Sequence, residues 1–294
     1  MDYVGRIFRP PSEAHSLLVQ VTVGCSHNRC VYCDMYRDKQ FRAKPFAQIE
    51  ADLREAASLA RRGFRSDRVF LCDGDALILS TRKLLDILAA IREHLPWVTR
   101  VGTYGDTRSV GRKSVEELIQ LREAGLGIVY HGMETGDEAV LERIDKGGTR
   151  PELIETAAKL RAAGLTHSVI VLLGIGGVEL SEQHARNTAK TLTEMDPPYV
   201  GALTTTIVPG TPLAQMAERG EFVLPSKFRM LEELRTIVAD SEFSNCRFSS
   251  NHASNYLPLR GTLPRDKPAM LDLLDEVIAR GDEALLKPER LRGL

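Results

Sequence analysis

Cys25, Cys30 and Cys33 fall within the run Gly24-Cys25-Ser26-His27-Asn28-Arg29-Cys30-Val31-Tyr32-Cys33, and they are three of the five cysteines in the chain. Three thiolates on so short an arc can hold three irons of a [4Fe–4S] cluster and leave the fourth iron open to another ligand. Zinc is the rival occupant. A structural zinc site takes four ligands, usually through a second paired motif, and the remaining cysteines, Cys72 and Cys246, are isolated. His27 can supply a fourth ligand, although its place between the first two cysteines makes a closed tetrahedron awkward.

Such a loop needs rigid elements to hold it. Short apolar, β-branched runs at 17–23, 68–72, 99–104, 127–132, 168–173 and 199–207 each precede a stretch of helical periodicity, which predicts strands alternating with helices. The helix-to-strand junctions repeat. Leu121-Arg122-Glu123-Ala124-Gly125-Leu126 and Leu160-Arg161-Ala162-Ala163-Gly164-Leu165 match closely, with Leu59-Ala60-Arg61-Arg62-Gly63-Phe64 a looser copy. Glycine suits a helix end because it takes the left-handed conformation there. The alternation predicts an α/β fold with a parallel sheet and helical crossovers; periodicity alone leaves open a partial barrel and an open doubly wound sheet.

Functional groups of parallel α/β folds gather where the strands end. The unusual residues fall there: Cys72-Asp73-Gly74-Asp75-Ala76 after the second strand, Tyr104, Asp106 and Arg108 after the third, and Tyr130-His131-Gly132-Met133-Glu134-Thr135-Gly136 after the fourth. Tyr104, Asp106, Arg108 and His131 are therefore candidates to face a substrate. The fifth strand ends in Val171-Leu172-Leu173-Gly174-Ile175-Gly176-Gly177, whose Gly-x-Gly is too short for a dinucleotide fingerprint.

At 294 residues, with 43% hydrophobic and 27% charged content, the chain can bury a large core. A net charge of −1 gives no global attraction to nucleic acid or an anionic membrane. The start, Met1-Asp2-Tyr3-Val4-Gly5-Arg6, lacks the apolar core of a signal peptide, and no apolar run reaches the ~20 residues that span a bilayer. A cytoplasmic setting follows, which suits cysteines kept as thiolates for iron.

The cysteine run resembles the motif of the radical S-adenosylmethionine (radical SAM) enzymes. Their usual spacing is C-x3-C-x2-C, and this chain reads C-x4-C-x2-C, with the aromatic Tyr32 in the family's place before the last cysteine. The resemblance implies a partial (β/α)6 TIM-like barrel over 1–213, including an N-terminal lead-in, capped by a helical and loop extension over 214–294. It also implies that Cys25, Cys30 and Cys33 ligate a [4Fe–4S] cluster whose open iron is chelated by SAM, and that Tyr32 lies by the adenine or packs beside the cluster. Asp73, Gly74 and Asp75 stand where the family holds the SAM amino group, with Asp75 at the position of the family's acid; carboxylates suit an ammonium, and they also suit helix capping.

The segment around Glu134, with Arg143 and Lys146 behind it, looks like the Gly-x-Glu-Ser region of the subgroup that includes coproporphyrinogen dehydrogenases and methylthiotransferases. Glu134 would then accept from the ribose hydroxyls or the amino group, Arg143 would pair with the SAM carboxylate or remain a solvated surface cation, and Gly174 would let the backbone approach the adenine. Pro209-Gly210-Thr211-Pro212 recurs in the same subgroup as a strand-ending turn.

The activity implied is reductive cleavage of SAM to a 5′-deoxyadenosyl radical that takes hydrogen from a small polar substrate, with an external one-electron reductant of flavodoxin or ferredoxin type and with no membrane or nucleic-acid partner. Two alternatives stay open. The longer cysteine gap admits transfer of an aminocarboxypropyl group, and a non-catalytic iron–sulfur or zinc protein that senses redox state is the reading from another class. No second cysteine cluster is present for an auxiliary centre, which points to a compact enzyme with one cluster and SAM. The polar loop from Cys246 to Leu257 contains Asn251, His252 and Asn255, and it suits either contact with substrate, with His252 as acid, base or donor, or bonding to its own backbone.

Overall fold

Six buried, apolar strands lie side by side, each followed by helical crossover structure. The computed structural model describes residues 1–293. In chain order its elements are β1 (Leu17–Gln20), β2 (Thr22–Val23), β3 (Arg42–Ala43), α1 (Phe46–Arg61), β4 (Arg68–Cys72), α2 (Thr81–His94), β5 (Arg100–Tyr104), α3 (Thr107–Gly111), α4 (Val115–Glu123), β6 (Leu126–Glu134) and α5 (Glu138–Arg143). They continue with α6 (Arg150–Ala162), β7 (Thr166–Leu173), α7 (Gly177–Met195), β8 (Tyr199–Thr204), α8 (Pro212–Glu218), α9 (Lys227–Asp240), β9 (Cys246–Ser249), β10 (Arg260–Leu263) and α10 (Lys267–Arg280).

The principal sheet has the linear order β1-β4-β5-β6-β7-β8-β9-β10. The pairs β1–β4, β4–β5, β5–β6, β7–β8 and β8–β9 are parallel, and β9–β10 is antiparallel. This is the mostly parallel α/β sheet of a partial (β/α)6 barrel, its six expected strands being β1, β4, β5, β6, β7 and β8. Strands β2 and β3 form a separate antiparallel ribbon, with Thr22 opposite Ala43 and Val23 opposite Arg42. The chain between those two strands contains all three motif cysteines.

Three boundaries depart from the sequence expectation. The run over 17–23 breaks into β1 and β2 at Val21, whose N–H donates to the Cys72 carbonyl at 2.7 Å, while the Thr22 hydroxyl accepts from Asp73 N at 3.1 Å. The run over 199–207 ends at Thr204, because the Thr204 N–H donates to Ser254 Oγ at 3.1 Å instead of extending the ladder. The carboxyl-terminal extension, expected as helix and loop, contributes β9 and β10 to the sheet. Strand β9 buries Cys246 and Phe248 and exposes Arg247, a period-two pattern only four residues long inside a polar segment.

The chain divides into two compact units, one of Met1–Asn28, Met35–His131 and Ala158–His167, the other of Arg29–Asp34, Gly132–Ala157 and Ser168–Leu294. In the first, Val19, Val69, Leu71 and Val101 of the strands pack with Ile49 and Leu53 of α1 and Leu84 and Leu88 of α2. In the second, Val169, Val171, Val200 and Ala202 pack with Leu192 of α7, Leu234 and Ile237 of α9 and Leu274 of α10. Each large aliphatic side chain so buried contributes roughly 1.5–3 kcal/mol. The helices that turn these faces inward are closed by local chemistry. Ser114 and Glu117 form a reciprocal capping box at α4, at 3.2 and 2.9 Å, and the junction glycines Gly125 and Gly164 take φ of 118° and 69° after α4 and α6.

Candidate cofactor site

In the first unit the acidic turn after β4 is bonded to the start of the cysteine loop. Asp73 is wholly buried, and its Oδ2 accepts from Gln20 Nε2 at 2.9 Å, Gly24 N at 3.0 Å and Lys39 Nζ at 3.1 Å. That oxygen holds the N–H of Gly24, the residue before Cys25, so Asp73 works on the loop. Gly74 has no room for a side chain: a Cβ there would lie 2.6 Å from the Tyr36 ring and 2.9 Å from Cys25 Cβ. Asp75, also buried, accepts from Ser26 Oγ at 2.6 Å and from Asp106 N at 3.2 Å. Burial, followed by the Asp106 charge, pushes its carboxyl up to about 6. Asp106 caps α3 through Ser109 N at 2.7 Å and pairs with Arg108 at 2.6 Å.

In the second unit the other half of the motif is stitched down by backbone. Val31 N donates to the Ile144 carbonyl and Leu213 N donates to the Val31 carbonyl, both at 3.0 Å, and Cys33 N closes a turn on the Cys30 carbonyl at 3.2 Å. The Tyr32 hydroxyl bonds Glu134; burial, the Glu134 charge, and Cys30 and Cys33 hold this phenol well above its ordinary range. Glu134 sits at φ 65° with Lys146 Nζ 3.3 Å from its Oε1. A Cβ on Gly132 would come within 2.3 Å of that oxygen, so glycine is what lets the carboxylate fold back over its own strand.

Arg143 and Gly174, both expected to face SAM, have protein partners. Arg143 pairs with Glu179 at 3.3 Å, donates to the Glu221 carbonyl and lies 5.6 Å over the Phe222 ring, so Lys146 is the cation at Glu134. Gly174, at φ 80°, approaches α9: its N–H donates to Glu233 Oε2 at 2.6 Å, and a Cβ would lie 2.8 Å from Met230 Sδ.

Of the substrate-side candidates, Tyr104 ends β5 with its ring edge-on to Phe70 and Tyr130, at 5.0 and 6.3 Å. His131 is wholly buried between Thr107 Oγ1 at 3.0 Å and the stacked His167 at 3.1 Å. That setting suits packing. His252 is half-buried, with Nδ1 2.9 Å from Ser254 Oγ, and Asn251 is exposed. Asn255 is buried at the end of β8, donating to the Ala202 carbonyl and accepting from Thr204 Oγ1, both at 2.8 Å. Ser26 and Lys39 escaped the sequence reading. Ser26 adjoins Cys25, which is a usable signal, whereas Lys39 meets Asp73 across 34 positions with no periodic pattern to announce it.

Among the described residues no three His, Cys, Asp or Glu side chains already stand in a metal-binding group, so donor chemistry carries the test of fit. Cys25, Cys30 and Cys33 are each partly exposed, while Cys72 and Cys246 are buried. Three accessible soft sulfurs, with a glycine packed on the first, fit an iron–sulfur cluster that keeps one iron open.

The Radical SAM superfamily model matches residues 19–190. The chain is 24% identical over 229 residues to the heme chaperone HemW of Lactococcus lactis, covering 77% of this chain and 59% of that protein. It is 23% identical over 239 residues to an uncharacterized methyltransferase of Pyrococcus horikoshii, covering 79% and 48%. The chain thus spans less than two thirds of the length of the curated relatives it matches. Coproporphyrinogen III oxidase (HemN) from Escherichia coli shares the fold with a TM-score of 0.56 at 17% identity, over 76% of this chain and 51% of that one. Partial parallel barrel, cysteine loop and acidic strand ends define a class of cofactor-dependent α/β enzyme. The chain belongs to the radical SAM superfamily, and its cofactors are a [4Fe–4S] cluster and SAM.

Proposed function

We propose that Cys25, Cys30 and Cys33 hold the cluster, that Asp75 and Glu134 hold the polar groups of SAM, and that the enzyme takes hydrogen from a small polar substrate. The observation that carries this reading is the hydrogen bond that Ser26 Oγ donates to Asp75 Oδ2 at 2.6 Å, which puts the carboxylate of Asp75 on the residue next to Cys25. When bound, the cluster supplies the single electron that cleaves SAM. The chain's own residues bind, orient and shield. Asp73 and Lys39 fix the approach to Cys25, Lys146 and Tyr32 fix Glu134, and Ser254 and Asn255 fold the carboxyl-terminal loop onto β8, where exclusion of water serves radical chemistry. We place the barrel core at 1–213 and its cap at 214–294. The reductant is an external flavodoxin- or ferredoxin-type protein, and the compartment is the cytoplasm, where thiols stay reduced. Among the described residues no helix is long and apolar enough to cross a membrane.

The extra residue between Cys25 and Cys30 favours keeping aminocarboxypropyl transfer as a second reading, distinguished by release of methylthioadenosine in place of 5′-deoxyadenosine. The site assignment is tested by SAM titration of the reconstituted protein. Asp75→Ala and Glu134→Ala should each weaken SAM binding by about ten- to hundredfold, the worth of one charge-assisted hydrogen bond, with iron content unchanged. Unaltered affinity in both would remove these carboxylates from the site.

A further inference from the structure

The second unit buries a carboxylate and an imidazole against each other, on α9 and α7. Glu233 of α9 is 3% exposed; its Oε2 accepts from Gly174 N and its Oε1 from Ser181 Oγ, each at 2.6 Å. His184 of α7 is completely buried, and its Nε2 lies 3.9 Å from Glu233 Oε2. The other ring nitrogen, Nδ1, is 2.7 Å from Thr135 Oγ1 and 3.4 Å from Thr188 Oγ1. Thr135 directly follows Glu134, and Gly174 opens the turn that follows β7. One continuous polar path therefore runs from the β7 turn through Glu233 and His184 to the neighbour of Glu134.

We propose that Glu233 and His184 are a positioning pair that carries one proton and, through Gly174 N and Thr135 Oγ1, ties the turn after β7 to the segment that follows Glu134 and is expected to flank SAM. The inference rests on the assignment of Glu134 to the SAM site. The surroundings leave the pair little else to titrate with. On α7, besides Ser181 and Thr188, Gln183 and Asn187 hold Asp137 Oδ2 at 2.9 and 2.5 Å. On α9, Arg229 donates to Ser181 Oγ at 3.2 Å and is itself paired with Glu232 at 2.9 Å. The Leu172 backbone on β7 hydrogen-bonds the imidazole and, like the Asp137 charge, favours its protonated form.

Burial pushes Glu233 up to about 7 against the pull of Ser181, Gly174 and Arg229, and burial draws His184 down to about 4 against the Asp137 charge. The raised acid makes folding less favourable as pH climbs from its ordinary value toward 7, and the lowered base makes folding more favourable as pH climbs from 4 toward its ordinary value. Over the shared window the two slopes oppose each other. The pair therefore adds little net pH slope to global stability there, and its effect appears locally: above neutrality the proton leaves to solvent, and a bare carboxylate faces His184 Nε2.

The test uses wild type, Glu233→Gln and Ser181→Ala, all anaerobically reconstituted. SAM affinity is measured from about pH 6 to about pH 8.5, and the protonated-carboxyl infrared band is followed over the same range. Wild-type affinity should fall about threefold or more while Glu233→Gln, which mimics the neutral acid, stays flat. The acid band should fade in wild type and be missing from the Glu233→Gln difference spectrum. Ser181→Ala, which removes a donor to the carboxylate, should move both midpoints up by about one pH unit. Parallel affinity curves for wild type and Glu233→Gln, or no acid band, would overturn the proposal. Wild type that shows the band yet binds no SAM at any pH would sink the SAM-site assignment and the positioning role with it, leaving only the proton pair.

Discussion

Asp73 and Asp75 stand two residues apart in one acidic turn, and their surroundings give them different work. The first is saturated on one oxygen by Gln20, Gly24 and Lys39; the second meets Ser26 and a backbone amide. Lys39 and Asp73 are both buried, so removing one charge strands the other. Lys39→Ala should cost about 3–5 kcal/mol in urea unfolding, and a loss under about 1 kcal/mol would show that water reaches the pair. His167 offers a pH signature. Burial, and then His131, hold its pKa well below the ordinary histidine value, so the stability it contributes is present above about pH 6.5 and lost as pH falls. His167→Gln should lose less stability than wild type on acidification, and identical acid profiles would contradict this. The cysteines, Asp75 and Glu134 were legible as types at strand ends. The pairing of Lys146 with Glu134 was not, because Lys146 lies beyond α5, past the turn at Asp145, φ 45°, whose left-handed backbone no periodicity announces.

At the scale of elements, periodicity carried the six parallel strands and the junction glycines, since a buried strand and a helix end each leave a local mark on composition. Pairing leaves none. The β9–β10 hairpin was hidden because four-residue strands within a polar segment draw their stability from the neighbouring β8 more than from their own pattern. The approach of the β4 turn to the cysteine loop belongs to the same scale, and it depends on one missing side chain. Gly74→Ala places a methyl 2.9 Å from Cys25 Cβ and 2.6 Å from Tyr36, so something must shift. The substitution should lower stability by about 1–3 kcal/mol and reduce iron bound on reconstitution. Full iron loading at wild-type stability would mean that the turn does not constrain the loop.

For the whole molecule, a near-neutral charge and a chain able to bury a large core were read directly from composition, whereas its division into two discontinuous units was not. Composition is blind to which distant segments share a core. The motif cysteines themselves are distributed over those units, Cys25 in the first and Cys30 and Cys33 in the second, so the central claim concerns the entire chain. Its most direct test is anaerobic reconstitution followed by counting iron and sulfide and identifying the products of SAM after reduction. The account predicts about four irons and four sulfides per chain, and methionine with 5′-deoxyadenosine on addition of reductant. The Cys25→Ala, Cys30→Ala, Cys33→Ala triple variant should lose cluster and products together, and Cys72→Ala, altered at a buried thiol at the end of β4, should keep both. Tightly held zinc with no iron uptake, or a cluster that survives the triple substitution, would contradict the account.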